Sequence, residues 1–91
     1  MIIIITAFSN YTILKISKTL DSNGITSKKI PTPREISSDC GMSIMIETED
    51  LNSLEKILIP VFKDVEHCYL KKEINFEKFN FTGENYGKEN H

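Results

Sequence analysis

The spacing of apolar residues predicts that the chain opens with a strand and continues into a helix. Residues 2–5 form a short, unbroken β-branched run, which is typical of a central strand covered on at least one face. The apolar period then becomes helical, and Ser9 or Asn10 can cap the open N–H groups of the first turn. We therefore predict a helix over about residues 10–22, ended by Gly24 in a left-handed turn. Its buried face is predicted to hold Ile13, Ile16, Ser17 and Leu20.

The rest of the pattern predicts three more strands and one more helix. The strands cover about residues 25–30, 42–46 and 65–70. Thr48 can cap the second helix. This helix should end near Leu58 or Ile59, because Pro60 has no backbone N–H and clashes with the preceding turn.

The order strand–helix–strand–strand–helix–strand is the split β-α-β pattern of a ferredoxin-like sandwich. The predicted fold class is α+β, with two amphipathic helices on one face of a four-stranded antiparallel sheet. We assign this domain to residues 1–72. Residues 73–91 hold four of the eight aromatic residues of the chain. This composition predicts a C-terminal tail that is rich in aromatic residues and asparagine and is either docked on the domain or flexible.

Composition and charge argue against several classes of protein. Eleven Lys and Arg residues against thirteen Asp and Glu residues leave no basic excess, so nucleic acid is not an expected partner. The longest apolar run covers residues 2–5, and the N-terminus lacks the pattern of a signal peptide. We therefore expect a cytoplasmic protein with reduced thiols, and no membrane contact. His67 and His91 have no second ligand at metal spacing, so we expect neither a metal nor another cofactor.

The connection between the second and third strands is the most informative stretch of the sequence. Thr32 and Glu35 have the spacing of a capping box, and Pro33 falls at the first helical position, where its missing N–H costs nothing. We therefore expect a helical turn over residues 33–38. This connection is the longest in the predicted domain, and long connections on a rigid scaffold are where functional residues concentrate.

Cys40 lies in that connection and is the strongest candidate for chemistry. A reactive thiol needs exposure and surroundings that favour the thiolate. Arg34 could supply positive charge, and Gly41 would let a partner approach the backbone closely. The neighbouring Asp39 carboxylate opposes the thiolate. On the residues alone, a cysteine without a role remains the alternative.

Cys68 belongs to a predicted strand rather than to a loop. That strand alternates, with Cys68 and Leu70 on one face and with Val65, His67 and Tyr69 on the other. Free cysteine is among the most buried residue types and is inert when buried. We therefore interpret Cys68 as a core residue.

The segment PTPREISSDCG, residues 31–41, resembles the signature of a small family described as putative selenium/sulfur carrier protein-like. Members of that family carry a similar motif, PTPREISSSCG, between their second and third strands. The resemblance extends over residues 1 to about 72. It departs from the motif at Asp39, where serine is common, and it does not include the tail.

The resemblance implies a carrier that holds sulfur or selenium on Cys40 as a persulfide or selenopersulfide. It implies that Gly41 forms the turn beside this thiol, that Arg34 contacts an anion, and that Pro33 and Ser38 support the loop. Such a protein would act as a carrier rather than as an enzyme. The implied partner is a cysteine desulfurase or a selenium-metabolism protein, and a homodimer is compatible with the sequence. The alternative is a non-catalytic binding or oligomerisation module whose signature loop contacts an anion.

Overall fold

The computed structural model describes residues 1–36 and 41–79, which form one sheet with two α-helices packed against it. The α+β class and both helices are therefore confirmed. In chain order the elements are β1 (Ile2–Ala7), α1 (Asn10–Ser22), β2 (Ser27–Pro31), β3 (Met42–Glu47), α2 (Leu51–Leu58), a 3₁₀ helix (Ile59–Asp64), β4 (Val65–Lys71) and β5 (Phe76–Phe79).

Within these two described ranges the sheet has five strands in the order β2-β3-β1-β4-β5, and every neighbouring pair is antiparallel. The prediction of a four-stranded sheet is therefore wrong in its strand count, whereas the predicted order of two helices and four antiparallel strands, β1-α1-β2-β3-α2-β4, is present. The additional strand β5 comes from the segment predicted as a tail. It pairs with β4, and Phe79, which lies opposite Cys68, packs against the hydrophobic core. Residues 80–91 of that predicted tail lie outside the described residues.

The hydrophobic core lies between the helices and one face of the sheet. Alternate residues of β1, Ile3 and Ile5, are fully buried on this face, and the neighbouring strand β3 adds Ile44 and Ile46. The predicted face of α1 covers them with Ile13, Ile16 and Leu20, and α2 adds Leu54 and Leu58. Both helices therefore occupy the same side of the sheet, as predicted, and no helix of the described residues lies on the opposite side.

The termini of α1 follow from local sequence signals. Ser9 caps the helix by accepting a hydrogen bond from the backbone N–H of Thr12, and the Thr12 hydroxyl in turn accepts one from the N–H of Ser9. Beyond the C-terminal end, Gly24 has φ +80°, the left-handed conformation that favours glycine. The predicted bounds of this helix are confirmed.

The second helix begins two residues later than predicted. Asp50, rather than Thr48, is its N-cap and accepts a hydrogen bond from the backbone N–H of Ser53, while the Thr48 hydroxyl accepts from the N–H of Asp50. The α-helix ends at Leu58, before Pro60, as predicted, and the chain continues as a 3₁₀ helix. No helix in the described part of the chain is long and apolar enough to span a membrane.

A β-bulge interrupts the pairing of β1 with β4. Thr6 lies opposite His67, but the next residue, Ala7, lies opposite Val65, so Glu66 is an extra residue in β4. Val65 therefore packs against the core on the same face as Cys68. Its predicted place beside His67 and Tyr69 was wrong, because strict alternation does not continue through a bulge.

Candidate functional site

The signature connection between β2 and β3 is closed at its base by two contacts of Thr32. The backbone N–H of Thr32 donates to the carbonyl of Gly41 at 2.9 Å, which extends the β2–β3 ladder beyond its last pair, Pro31 with Met42. The hydroxyl of Thr32 lies 2.6 Å from that of Ser43, whose side chain is fully buried. The two described ends of the connection, at Thr32 and Gly41, are therefore held together by the sheet.

The described part of this connection is a hydrogen-bonded turn, and the remainder of the helical turn predicted over residues 33–38 lies outside the described residues. The backbone N–H of Ile36 donates to the carbonyl of Pro33 at 3.0 Å, and residues 34–36 form a hydrogen-bonded turn. Arg34 is exposed on this turn. Residues 37–40, which include the predicted site residues Ser38 and Cys40, lie outside the described residues.

A cleft with a volume of about 690 Å³ opens beside the base of the loop. It lies at the C-terminal end of β1, where the chain enters α1, and extends along β4 to β5. The described residues that line it are Thr6, Ala7, Phe8, Ser9, Asn10, Thr32, Ile36, Gly41, Met42, Glu66, His67, Tyr69 and Lys78.

The β4 side of the cleft is formed around the bulge. The hydroxyl of Thr6 accepts a hydrogen bond from the backbone N–H of His67 at 3.1 Å, which satisfies a donor next to the extra residue Glu66. The rings of His67 and Tyr69 meet edge to face, with centroids 6.2 Å apart. The bulge and this aromatic pair thus form a defined wall of the cleft.

Glu66 and Tyr69 interact electrostatically on this wall. Partial burial raises the pKa of the Tyr69 phenol, and the nearby Glu66 carboxylate raises it further. Tyr69 is therefore a neutral hydroxyl at neutral pH, able to donate and accept hydrogen bonds. Lys78 lies opposite Tyr69 on β5, so the cleft has one carboxylate and one ammonium among its described side chains.

Cys68 lies on the opposite face of β4, in the core, as predicted. It is only 5% exposed, lies opposite Ile5, and is a free thiol. Burial raises the pKa of this thiol from 9.0 to about 12, so it is protonated at neutral pH. Because the thiolate is the nucleophile, Cys68 is a poor candidate for sulfur chemistry.

The structure brings only part of the predicted site together. Gly41, which directly follows Cys40 in the sequence, lines the cleft. Pro33 and Arg34 belong to the described turn and are not among the described lining residues. No group of three or more His, Cys, Asp or Glu residues that could hold a metal ion occurs within residues 1–36 and 41–79.

Sequence reasoning missed most of the lining residues. Their placement depends on which strands are neighbours, and no local motif marks them. Given the order β3-β1-β4, however, strand alternation alone would have placed Thr6, His67 and Tyr69 on the face without helices.

The sequence model of the family described as putative Se/S carrier protein-like matches residues 3–69. The match covers β1 through most of β4, including the signature loop and most of the strands that border the cleft. The chain therefore belongs to this family. Searches of curated proteins and of solved structures found no significant match to the chain.

Proposed function

We propose that the protein is a sulfur or selenium carrier that accepts and relays a persulfide or selenopersulfide on Cys40. The observation that carries the proposal is the family match over residues 3–69, because that range includes the whole PTPREISSDCG segment. The carrier thiol in this proposal is the cysteine of that segment.

The chemistry of Cys68 supports the choice between the two cysteines of the chain. Cys68 is buried in the core with a pKa of about 12, and its conversion to a persulfide would add an atom to a closely packed interior. In the sequence, Cys40 belongs instead to the connection between β2 and β3, and the described base of that connection, at Thr32 and Gly41, borders an open cleft.

The transfer itself is a thiol–disulfide type exchange. The Cys40 thiolate attacks the outer sulfur of a donor persulfide, a new S–S bond forms on Cys40, and the donor S–S bond breaks with its electron pair leaving on the donor thiolate. No net oxidation occurs. In a second exchange of the same kind, an acceptor thiolate attacks the outer sulfur on Cys40 and releases the Cys40 thiolate. The donor class we propose for loading Cys40 is a cysteine desulfurase or a selenium-metabolism protein.

Loading by a cysteine desulfurase tests the proposal. Incubated with the desulfurase and cysteine, wild-type protein and Cys68→Ala should gain the mass of one sulfur atom, whereas Cys40→Ser should gain none. Equal loading of Cys40→Ser and wild type would overturn the proposal, as would the absence of any mass gain in the wild type. Absence of loading together with loss of self-association on removal of residues 80–91 would favour a binding or oligomerisation module instead.

A further inference from the structure

The cleft is larger than the transfer of one sulfur atom between two protein thiols requires. Its volume of about 690 Å³ lies within the range of roughly 300–1,000 Å³ that is typical of sites for small organic molecules. A single inorganic sulfur or selenium anion would fill a small part of it. The volume points to an organic ligand.

The described lining of the cleft contains two charged side chains, the Glu66 carboxylate and the Lys78 ammonium group. Glu66 and Lys78 are both exposed, and neither makes an ion pair within the described part of the chain. Lys78 lies on β5 opposite Tyr69, which is three residues from Glu66 along β4. With a rise of about 3.3 Å per residue and about 4.8 Å between neighbouring strands, the backbone positions of Glu66 and Lys78 are about 11 Å apart. This spacing leaves room for a ligand between the two charges.

The bulge gives Glu66 its place in the cleft. In a regular strand, Glu66 would share the face of Cys68 and Leu70 and would point toward the core. As the extra residue of the bulge it lines the cleft instead, while Val65 occupies the core position opposite Ala7. Bulges of this kind commonly re-aim a side chain beside a functional site.

We propose that the cleft binds a zwitterionic low-molecular-weight thiol of the cysteine or short cysteine-peptide class, with its ammonium group at Glu66 and a carboxylate at Lys78. The edge-to-face pair of His67 and Tyr69 offers an aromatic surface and a hydroxyl to the middle of such a ligand. An opposite-charge arrangement selects a zwitterion over a simple anion, because a second carboxylate near Glu66 would be repelled.

The inference that the ligand carries a thiol rests on the proposed function of Cys40. Gly41, which lines the cleft, directly follows Cys40 in the sequence. A persulfide of the small thiol would give its outer sulfur to the Cys40 thiolate. The S–S bond of the ligand breaks with its electron pair on the departing small thiolate, and a new S–S bond forms on Cys40, with no net oxidation.

Binding can be measured separately from the chemistry by using S-methylcysteinylglycine, a dipeptide that has one ammonium group, one carboxylate and no thiol to exchange. Calorimetric titration of the full chain should show saturable binding that is the same in wild type and Cys40→Ser. Glu66→Gln and Lys78→Gln should each weaken binding about tenfold, as expected for loss of one hydrogen-bonded charge. Lys71→Gln is the matched control: it removes an exposed lysine of β4 that does not line the cleft, and it should bind like the wild type.

A second probe tests the assignment of the two charges. N-acetylation of the ligand removes its ammonium group, so the acetylated probe should bind wild type and Glu66→Gln equally, while Lys78→Gln still weakens it. No saturable binding in the wild type, or equal weakening by Lys71→Gln and Lys78→Gln, would overturn the inference. Loading from a desulfurase without binding of the small probe would overturn this inference alone, whereas binding without any loading of Cys40 would overturn the proposed function alone.

Discussion

The backbone N–H of Thr32 donates to the carbonyl of Gly41 at 2.9 Å and closes the base of the signature loop. This bond joins residues nine positions apart in the sequence and continues the ladder between β2 and β3. The two described ends of the signature segment, Thr32 and Gly41, are therefore fixed to the sheet.

The hydroxyl of Thr32 should contribute to the stability of this loop base. Thr32→Val keeps the shape of the side chain but leaves the fully buried Ser43 hydroxyl without its partner at 2.6 Å. We expect a loss of about 1–3 kcal/mol in the free energy of unfolding, measured by urea denaturation. The double variant Thr32→Val/Ser43→Ala removes both hydroxyls and should recover part of that loss. A Thr32→Val variant as stable as the wild type would contradict the contact.

The raised pKa of Cys68 predicts a pH dependence of stability on the alkaline side. Above pH 9 the unfolded chain ionises this thiol, whereas the folded protein keeps it protonated up to a pKa of about 12. The contribution of Cys68 is therefore complete below pH 9 and is lost as the pH rises toward 12. Compared with Cys68→Ala, the wild type should lose unfolding free energy more steeply between pH 9 and 11 in urea denaturation. Parallel curves for the two proteins would show that the thiol is not buried as described.

Gly24 should stabilise the C-terminal end of α1 through its backbone conformation rather than through packing. Its φ of +80° is unfavourable for other residues, and a Cβ at this position would meet no atom within 4 Å. Gly24→Ala should therefore cost about 1 kcal/mol, seen as a lower urea midpoint with an unchanged denaturant slope. Gly24→Asn should cost less, because asparagine visits the left-handed region more readily. Equal stability of all three proteins would argue against this conformation.

Local signals account for the parts of the fold that the sequence predicts well. The start of α1 at Ser9 and its end before Gly24 depend on residues within a few positions of each other, and both are confirmed. The cap of α2 was wrong because Thr48 and Asp50 are both good cap residues, and the choice between them depends on where β3 ends.

The parts that the sequence could not predict depend on contacts between distant residues. Glu66 lines the cleft only because β4 gains an extra residue against β1, and no motif within β4 marks that position. Similarly, β5 is a four-residue strand that pairs with β4, and its Phe79, opposite Cys68, packs against the core. The cleft combines these features, so its lining can be assigned only once the strand order is known.

Locating the transferred sulfur atom within the protein tests the central claim most directly. Wild-type protein is loaded by a cysteine desulfurase with isotopically heavy cysteine sulfur, separated from the donor, and digested before and after exposure to an acceptor thiol. Mass spectrometry of the peptides should find the heavy sulfur on the Cys40 peptide before exposure and should find it gone afterwards. Heavy sulfur on the Cys68 peptide, or heavy sulfur that stays on Cys40 in the presence of the acceptor, would contradict a relay through Cys40.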